Sequence, residues 1–519
     1  MKTHTRPSRC RIALLLAPLL LSGCMVGPDY KRPTAIISPR FKELKPAAGW
    51  QYANPALAAV PKGKWWEIYN DPILNGLEDK VEINNQNVIQ YEARYRNARA
   101  AINAIRAQLY PTLSGSLSFN RNSTGRGSRN ASSGVLVNYG TGGSTTTTYT
   151  PSNSTETTYG MGPTASWDLD LWGAIRRQIQ AQVTEAQASA ADLANAKLSY
   201  QAQLATAYFN LRYQDSLKDL LHRTVQFYEH SYQITLNQYN AGVAEPTALL
   251  QARTQLEQTR AQEVQAGIAR AQYEHAIAVL MGEAPADLTI AAGRLPDTVP
   301  TIPVSVPADL LQRRPDIAAA ERRMEEYNAQ IGAAIAAFYP DVKLTASYSY
   351  SGDPVGALVQ VANRIWSLGA AATETIFEGG ARTAAVHEAN ANYDSYTATY
   401  RQTVLTALQG TEDQLSNLRI LSEQAAQQAI ALDAANKAVT VAMNQYLAGT
   451  EIYTTVITAQ VTALSNAETV LSIQQSRMVD SVSLIEALGG GWNASSLPSK
   501  GSMQTDNPFL PSFIQKDKN

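Results

Sequence analysis

WGAIRRQIQAQVTEAQASAADLANAKLSYQAQLATAYFNLRYQDSLKDLLHRTVQFYEHSYQITLNQY, residues 172–239, holds no proline, and its only glycine is Gly173 at the start. A seam steps alternately by four and three along it: Ile179, Val183, Ala186, Ala190, Leu193, Lys197, Tyr200, Leu204, Ala207, Leu211, Gln214, Lys218, Leu221, Val225, Tyr228, Tyr232, Thr235, Tyr239. Most of these residues are apolar or aromatic, so a coiled-coil period of about 3.5 persists far beyond an ordinary globular helix. At about 1.5 Å per residue the helix is roughly 100 Å long. Asn240-Ala241-Gly242 ends it, Pro246 lies just beyond, and a second helical run follows from Thr247 to Met281. Two long helices joined by so short a turn lie antiparallel.

The pattern occurs twice. Tyr239-Asn240-Ala241-Gly242 returns as Tyr446-Leu447-Ala448-Gly449, and Leu280-Met281-Gly282 as Ala487-Leu488-Gly489, each 207 residues on. Carried forward by that offset, the seam lands on Val386, Tyr393, Tyr400, Val404, Ala407, Leu418, Leu421, Leu432, Val439 and Tyr446. Length and register are both kept, as in an internal duplication.

Working outward, residues 1–23 read as a secretory signal. Lys2, Arg6, Arg9 and Arg11 precede an apolar run, Ile12 to Leu21, too short to span a bilayer. The run ends in Leu21-Ser22-Gly23-Cys24, which resembles a bacterial lipobox; that implies cleavage before Cys24 and S-diacylglycerol and N-acyl chains on it. Residues 24–71 form an extended, proline-rich segment.

The first repeat is 72–282. It comprises a helix from Pro72 to Leu109, strands at 111–120 and 159–171, and the hairpin 172–282. Leu113, Leu117 and Phe119 alternate with Ser114, Ser116 and Ser118; Trp167, Leu169 and Leu171 alternate with Asp168 and Asp170. Arg121 to Thr158 is a long polar loop. A linker, 283–314, leads to the second repeat, 315–488, with a helix from Pro315 to Phe338, strands at 341–351 and 365–377, and the hairpin 380–488. In its first strand Val342, Leu344, Ala346, Tyr348 and Tyr350 alternate with Lys343, Thr345, Ser347 and Ser349. The tail, 489–519, loses periodicity after Trp492, which predicts disorder.

Composition narrows the function. Net charge is −1 and charged residues are only 17%, so no basic face points to nucleic acid. Small uncharged polar residues fill the helices, suiting helices packed on both flanks with water before and behind, as in the wall of a tube. Cys10 and Cys24 are the only cysteines, and His4, His222, His230, His275 and His387 have no metal-ligand spacing. No nucleophile, base and oxyanion set is visible, so no enzyme is expected, and no cofactor or metal beyond the lipid on Cys24.

Four strands cannot close a membrane barrel, whose known range starts at about eight. Left open they expose two edges. Three chains would pool twelve strands, and two would pool eight. Strands at one end of helices roughly 100 Å long make a rod, and several rods side by side make a cylinder.

Cys24-Met25-Val26-Gly27-Pro28-Asp29-Tyr30, Trp65-Trp66 with Asp71-Pro72, Trp167-Asp168-Leu169-Asp170-Leu171-Trp172-Gly173, Arg313-Arg314-Pro315-Asp316-Ile317 with Ala320-Glu321-Arg322-Arg323, Ala329-Gln330-Ile331-Gly332, Phe338-Tyr339-Pro340 and Leu488-Gly489-Gly490-Gly491-Trp492 together resemble the signatures of the outer membrane factor family. These are the TolC- and OprM-like, NodT-type lipoproteins of tripartite efflux pumps. The resemblance covers nearly the whole chain. It implies a mainly α protein with a transmembrane β-barrel: a homotrimer whose twelve strands continue into a periplasmic α-helical barrel. It also implies a Gram-negative outer membrane location and a passive duct for drugs or other toxic compounds. A periplasmic membrane-fusion adaptor and an inner-membrane resistance-nodulation-division pump would deliver the substrate.

Two other readings stay open at this point: the exit channel of a type I protein secretion system, and a non-conducting structural coiled-coil lipoprotein. The strand pairs in both halves favour a duct over a rod, and the lipobox favours the pump-associated branch over the secretion branch.

The hairpin turns, farthest from the strands, are the expected periplasmic tip. Gly242 and Gly449 cap the helices there, and each turn sets one carboxylate just past the glycine, Glu245 and Glu451. Tyr239, Glu245, Tyr446 and Glu451 are the candidates for gating and adaptor contact. Thr455 and Thr458 stand where TolC-like members place aspartates, which departs from that pattern.

Overall fold

The computed structural model of the chain describes residues 25–35, 37–43, 63–123, 155–304 and 307–504. The signal segment, Cys24, most of the polar loop and residues 505–519 lie outside the described residues.

Helix α1 (Pro72–Asn84) starts at Asp71, whose carboxylate accepts the amides of Ile73 and Leu74 at 2.9 and 3.2 Å, with Pro72 in the first turn. Periodicity suggests one helix to Leu109, but the helix breaks at Asn85, whose backbone is extended (ψ 119°). Its side chain accepts the amides of Asn87 and Val88, starting α2 (Gln86–Arg106), and donates to the Leu280 carbonyl at 2.7 Å. One asparagine thus caps one helix and terminates another.

Strands β1 (Thr112–Ser123) and β2 (Thr155–Leu169) lead into α3 (Ala174–Asn240) and α4 (Pro246–Leu280). After the linker and a single helical turn, Leu310–Arg313, come α5 (Pro315–Ala336), β3 (Asp341–Gly352), β4 (Arg364–Thr373), α6 (Ala381–Leu447) and α7 (Tyr453–Ala487). The duplication keeps element lengths: 67 residues in α3 and α6, 35 in α4 and α7, 12 in β1 and β3. The return strands differ from the sequence reading. β2 begins earlier, because Thr155 pairs with Ser123 inside the expected loop, and β4 stops at Thr373, where its partner β3 begins at Asp341.

The sheet is antiparallel in the order β1-β2-β3-β4. The helices form one layer at two levels. Near the sheet, α3 packs between α2 and α5, and α6 packs on α5; toward the hairpin turns, α3 packs between α4 and α7, and α6 on α7. The short helices stack end to end: Asn85 reaches the end of α4, and the Arg314 guanidinium donates to the Ala487 carbonyl at the end of α7 (2.6 Å). The main core sits at this equator. Trp65, Trp66, Leu74 and Val81 pack on Leu204, Phe209 and Leu211 of α3, Ile277 and Met281, and Met478 and Val482 of α7. At about 25 cal/mol per Å² of apolar surface buried, each such side chain contributes on the order of 2 kcal/mol.

Of the N-terminal segment, residues 25–35 and 37–43 run without helix or strand along the layer. Val26 and Gly27 carbonyls accept from the buried Arg177, Asn328 donates to the Pro28 carbonyl, and the Lys42 and Glu43 amides donate to Glu412. The tail corrects the sequence reading. Residues 493–504 dock, because a few anchored side chains need no periodicity: Met503 is buried among Ala98, Ile102, Ile179 and Val183, Gln187 donates to the Pro498 carbonyl, and Lys500 pairs with Glu325.

Candidate functional site: the sheet faces, the helical wall and the tip

Direct cross-strand partners share a face, so the register sorts every strand residue. One face carries Leu113, Leu117 and Phe119 of β1; Tyr159, Met161, Ala165, Trp167 and Leu169 of β2; Val342, Leu344, Ala346, Tyr348 and Tyr350 of β3; and Trp366, Leu368, Ala370 and Ala372 of β4. On the outer strands these side chains are bare, with Leu117 81%, Leu368 79% and Trp366 67% exposed, whereas most of those on β2 and β3 are half-buried. The other face is mostly serine, threonine and glycine. Ser114, Ser116 and Ser118 donate to the carbonyls of Thr164, Gly162 and Gly160, and Lys343 pairs with Asp168 at 3.3 Å.

Aromatics mark both ends of the apolar face. Phe119 and Tyr159 lie 5.2 Å apart near the hairpin end, with Tyr348, Tyr350 and Trp366 on the other strands. At the helix end the Trp167 indole donates to the Leu109 carbonyl, and Trp172 stacks on Tyr339 at 4.8 Å and donates to the Pro340 carbonyl. Tyr159 to Trp167 spans about 26 Å along the strand, comparable with the apolar band of about 25 Å of membrane barrels. Among the described residues no helix is long and apolar enough to cross a membrane.

The helical layer also has two faces. The terminal segments cover one, along Arg177, Gln187 and Ala191 of α3 and Glu321, Glu325 and Asn328 of α5. Away from that cover, about a third of a turn round α3 and half a turn round α5, stand Glu185, Asp192, Arg323 and Glu326. Arg323 pairs with Asp192 and reaches Glu185 at 3.9 Å. Burial, with the Glu185 carboxylate beside it, pushes the Glu326 carboxyl up to about 8.

At the tip both turns use the same cap. Gly242 and Gly449 have φ of +74° and +72°, and the next amides, Val243 and Thr450, donate to the Gln238 and Gln445 carbonyls at 2.9 and 3.0 Å. The surrounding side chains differ. Tyr239 is exposed, whereas Tyr446 packs edge-on against the buried Tyr453 at 5.0 Å, and its hydroxyl has no hydrogen-bond partner among the described residues. Burial pushes the Tyr453 hydroxyl up to about 12. The first-half counterpart of Tyr453 is Pro246, which is why only one turn builds this pair. Tyr453 is absent from the sequence-derived candidates, and the single clue to it was that mismatch between repeats.

The carboxylates are not equivalent either. Glu245 stands at the start of α4 and accepts the Thr247 hydroxyl, at the position where the second half has Ile452. Glu451, one place earlier in register, accepts the Ile452 amide and the Thr455 hydroxyl at 3.2 and 3.1 Å. Thr455 and Thr458 are exposed on a groove of about 380 Å³ between α6 and α7, and Thr458 donates to the Thr454 carbonyl. Cys24 lies outside the described residues; Met25 beside it packs on Gly173 at the start of α3.

A bare apolar face, a hydroxyl face, aromatic ends and long polar-walled helices define a membrane channel subunit. The profile of the outer membrane efflux protein family matches residues 77–283 and 306–490, and the chain belongs to that family. It is 29% identical over 489 residues to the probable efflux pump outer membrane protein TtgC of Pseudomonas putida, covering 93% of this chain and 95% of that one. It is 27% identical over 477 residues to the probable outer membrane lipoprotein SilC of Salmonella typhimurium (91% and 97%). Its fold matches the outer-membrane channel OprN with a TM-score of 0.80 at 27% identity, over 90% of this chain and 100% of that one. The expected fold class and outer membrane location are those of these proteins.

Proposed function

We propose that three copies close into the exit duct of a tripartite efflux pump. The observation that carries this is the open edge. Among the described residues β1 and β4 each lack an outer neighbour in the sheet, and the helical layer ends at α2 and α4 on one side and α6 on the other. Those edges carry exposed apolar residues, Leu250, Val264 and Ile268 on α4 and Ile430 and Val441 on α6. One rotation that joins β4 to the next β1 joins α6 to the next α2 and α4, leaving neither edge exposed. Twelve pooled strands fall within the membrane-barrel range of about 8 to 26.

In that assembly the bare apolar face meets lipid and the serine-threonine face lines the pore. The uncovered face of the helical layer, with Glu185 and Glu326, lines the periplasmic tunnel. Conduction is passive. The substrates are small toxic compounds, in keeping with relatives named for toluene and antibiotic efflux. A periplasmic adaptor and an inner-membrane pump of the resistance-nodulation-division type hand them over at the tip, where Tyr239, Gly242, Glu245, Tyr446, Gly449, Glu451, Thr455 and Thr458 lie. The two carboxylates form two rings of three at different positions in the turns. Acyl chains on Cys24 add an anchor beside the barrel.

The test is reconstitution in a Gram-negative strain lacking its own duct, together with a periplasmic adaptor and a resistance-nodulation-division pump. Accumulation of a fluorescent dye exported by that pump falls only when all three are present. Unchanged accumulation on adding the chain refutes the reading.

A further inference from the structure

The chain contains one seam between its own halves, and that seam is a template for the seam between copies. Inside the chain β2 pairs with β3: Met161 faces Tyr350, Ala165 faces Ala346, Trp167 faces Leu344 and Leu169 faces Val342. The outer strands are the repeats of these two. β1 and β3 are both 12 residues long, and each follows a Tyr-Pro pair, Tyr110-Pro111 and Tyr339-Pro340, 229 residues apart. β2 and β4 each lead into a 67-residue helix through a left-handed glycine, Gly173 (φ +80°) and Gly380 (φ +88°), 207 residues apart. So β4 stands to the next copy's β1 as β2 stands to β3.

We infer that β4 of one copy pairs antiparallel with β1 of the next in the register of the internal seam, setting Ala370 opposite Phe119, Ala372 opposite Leu117 and Ile376 opposite Leu113. The inference rests on the closed-assembly reading above and specifies its contact.

Two independent features agree with this register. The first is face. Ala370, Ala372 and Ile376 meet Phe119, Leu117 and Leu113, and Ala371 meets Ser118 on the hydroxyl face; at the helix end Glu374, paired with Arg382, stands opposite Gly115. A slip of one residue would turn every lipid-facing side chain of one strand toward the pore. The second separates it from slips of two, which keep the faces. Residues 374–377 follow β4 yet have no partner strand among the described residues, because β3 begins at Asp341 opposite Thr373. Ile376 and Phe377 there are 97% and 87% exposed, the two barest large apolar side chains among the described residues. The proposed register runs β1 of the next copy alongside this stretch, placing its first residue, Thr112, opposite Phe377. Leu113, 77% exposed in the single chain, then covers Ile376 as Val342 covers Leu169. The strand regains the length, to Phe377, that its sequence suggests.

Cysteine pairs read the register directly, since the chain's own cysteines are only Cys10 and Cys24. Two neighbouring pairs are made in the full-length protein: Leu117→Cys with Ala372→Cys, and Ser118→Cys with Ala371→Cys. Neighbouring antiparallel pairs alternate between Cα separations of about 5.5 and 4.5 Å, both within disulfide range of about 4.4 to 6.8 Å. Oxidised outer membranes run on denaturing, non-reducing gels should show covalent dimer and closed trimer from at least one pair. The ladder should be lost in every single-cysteine parent and in the slipped pairs Phe119→Cys with Ala372→Cys and Gly115→Cys with Ala372→Cys. A ladder from a slipped pair overturns the register, as does no ladder from either matched pair in protein that light scattering shows to be trimeric. A monomer by light scattering instead overturns the assembly itself.

Discussion

Glu78 is fully buried in the equatorial core, and neither carboxyl oxygen has a hydrogen-bond partner among the described residues. Burial, reinforced by the neighbouring Asp79 charge, holds its pKa well above the ordinary value. The folded protein therefore keeps a proton that the unfolded chain gives up. Stability from this group is full below the unfolded value of about 4.3 and falls as pH rises toward the folded value, by about 1.4 kcal/mol per pH unit between the two. Glu78→Gln removes the titration. Relative to the variant, the wild-type thermal midpoint should drop between pH 5 and pH 8; a constant gap contradicts the assignment. Periodicity could not reveal this residue, because Glu78 occupies an apolar-face position of α1 beside Leu74, Leu77 and Val81, and a glutamate there reads as a helix-surface charge. The tip shows the same limit. The Tyr-x-Ala-Gly repeat located Tyr239 and Tyr446, but whether each is bare or packed depends on Pro246 against Tyr453 across the turn.

At the scale of elements, the seam of α3 was legible because one face of a long helix must be apolar throughout. Ile179, Val183, Ala186, Leu204, Leu211, Leu221, Val225 and Tyr228 are all buried as the seam implies. Ala188, Ala191, Ala202, Tyr208 and Phe209 are buried too, on faces the seam does not include, because α3 packs on four long helices and carries the terminal segments. Its repeat, α6, buries far less for the same length, as expected of the layer's edge. The strands were legible from alternation, whereas the break at Asn85 was not, since an asparagine within a helical pattern announces no boundary until its side chain is seen capping α2. The hairpin turns carry the functional prediction at this scale. Tyr446→Ala removes the ring that covers Tyr453, so it should loosen the second turn and raise single-channel conductance in planar bilayers. Glu451→Ala and Glu245→Ala should lower cation preference, since carboxylate rings favour cations, and Tyr239→Ala should weaken adaptor binding. Unchanged conductance, selectivity and adaptor binding in all four variants would remove the tip from the mechanism.

At the scale of the molecule, the two halves meet in a seam that is satisfied on its inner side and open on both outer sides. The two halves form one wall segment, and in the proposed assembly the same geometry, applied once more between chains, makes the tube. The sequence carried this as a repeat and as too few strands for a barrel; it could not show which helices form the edges, because that depends on contacts far apart in the chain. The central claim is that this chain is one third of a duct. Native mass spectrometry of the detergent-extracted protein measures it most directly. The account predicts a single species of three chains, each starting at Cys24 and carrying the mass of a diacylglycerol and an acyl group, and a monomer at concentrations well above those of the native membrane would contradict it.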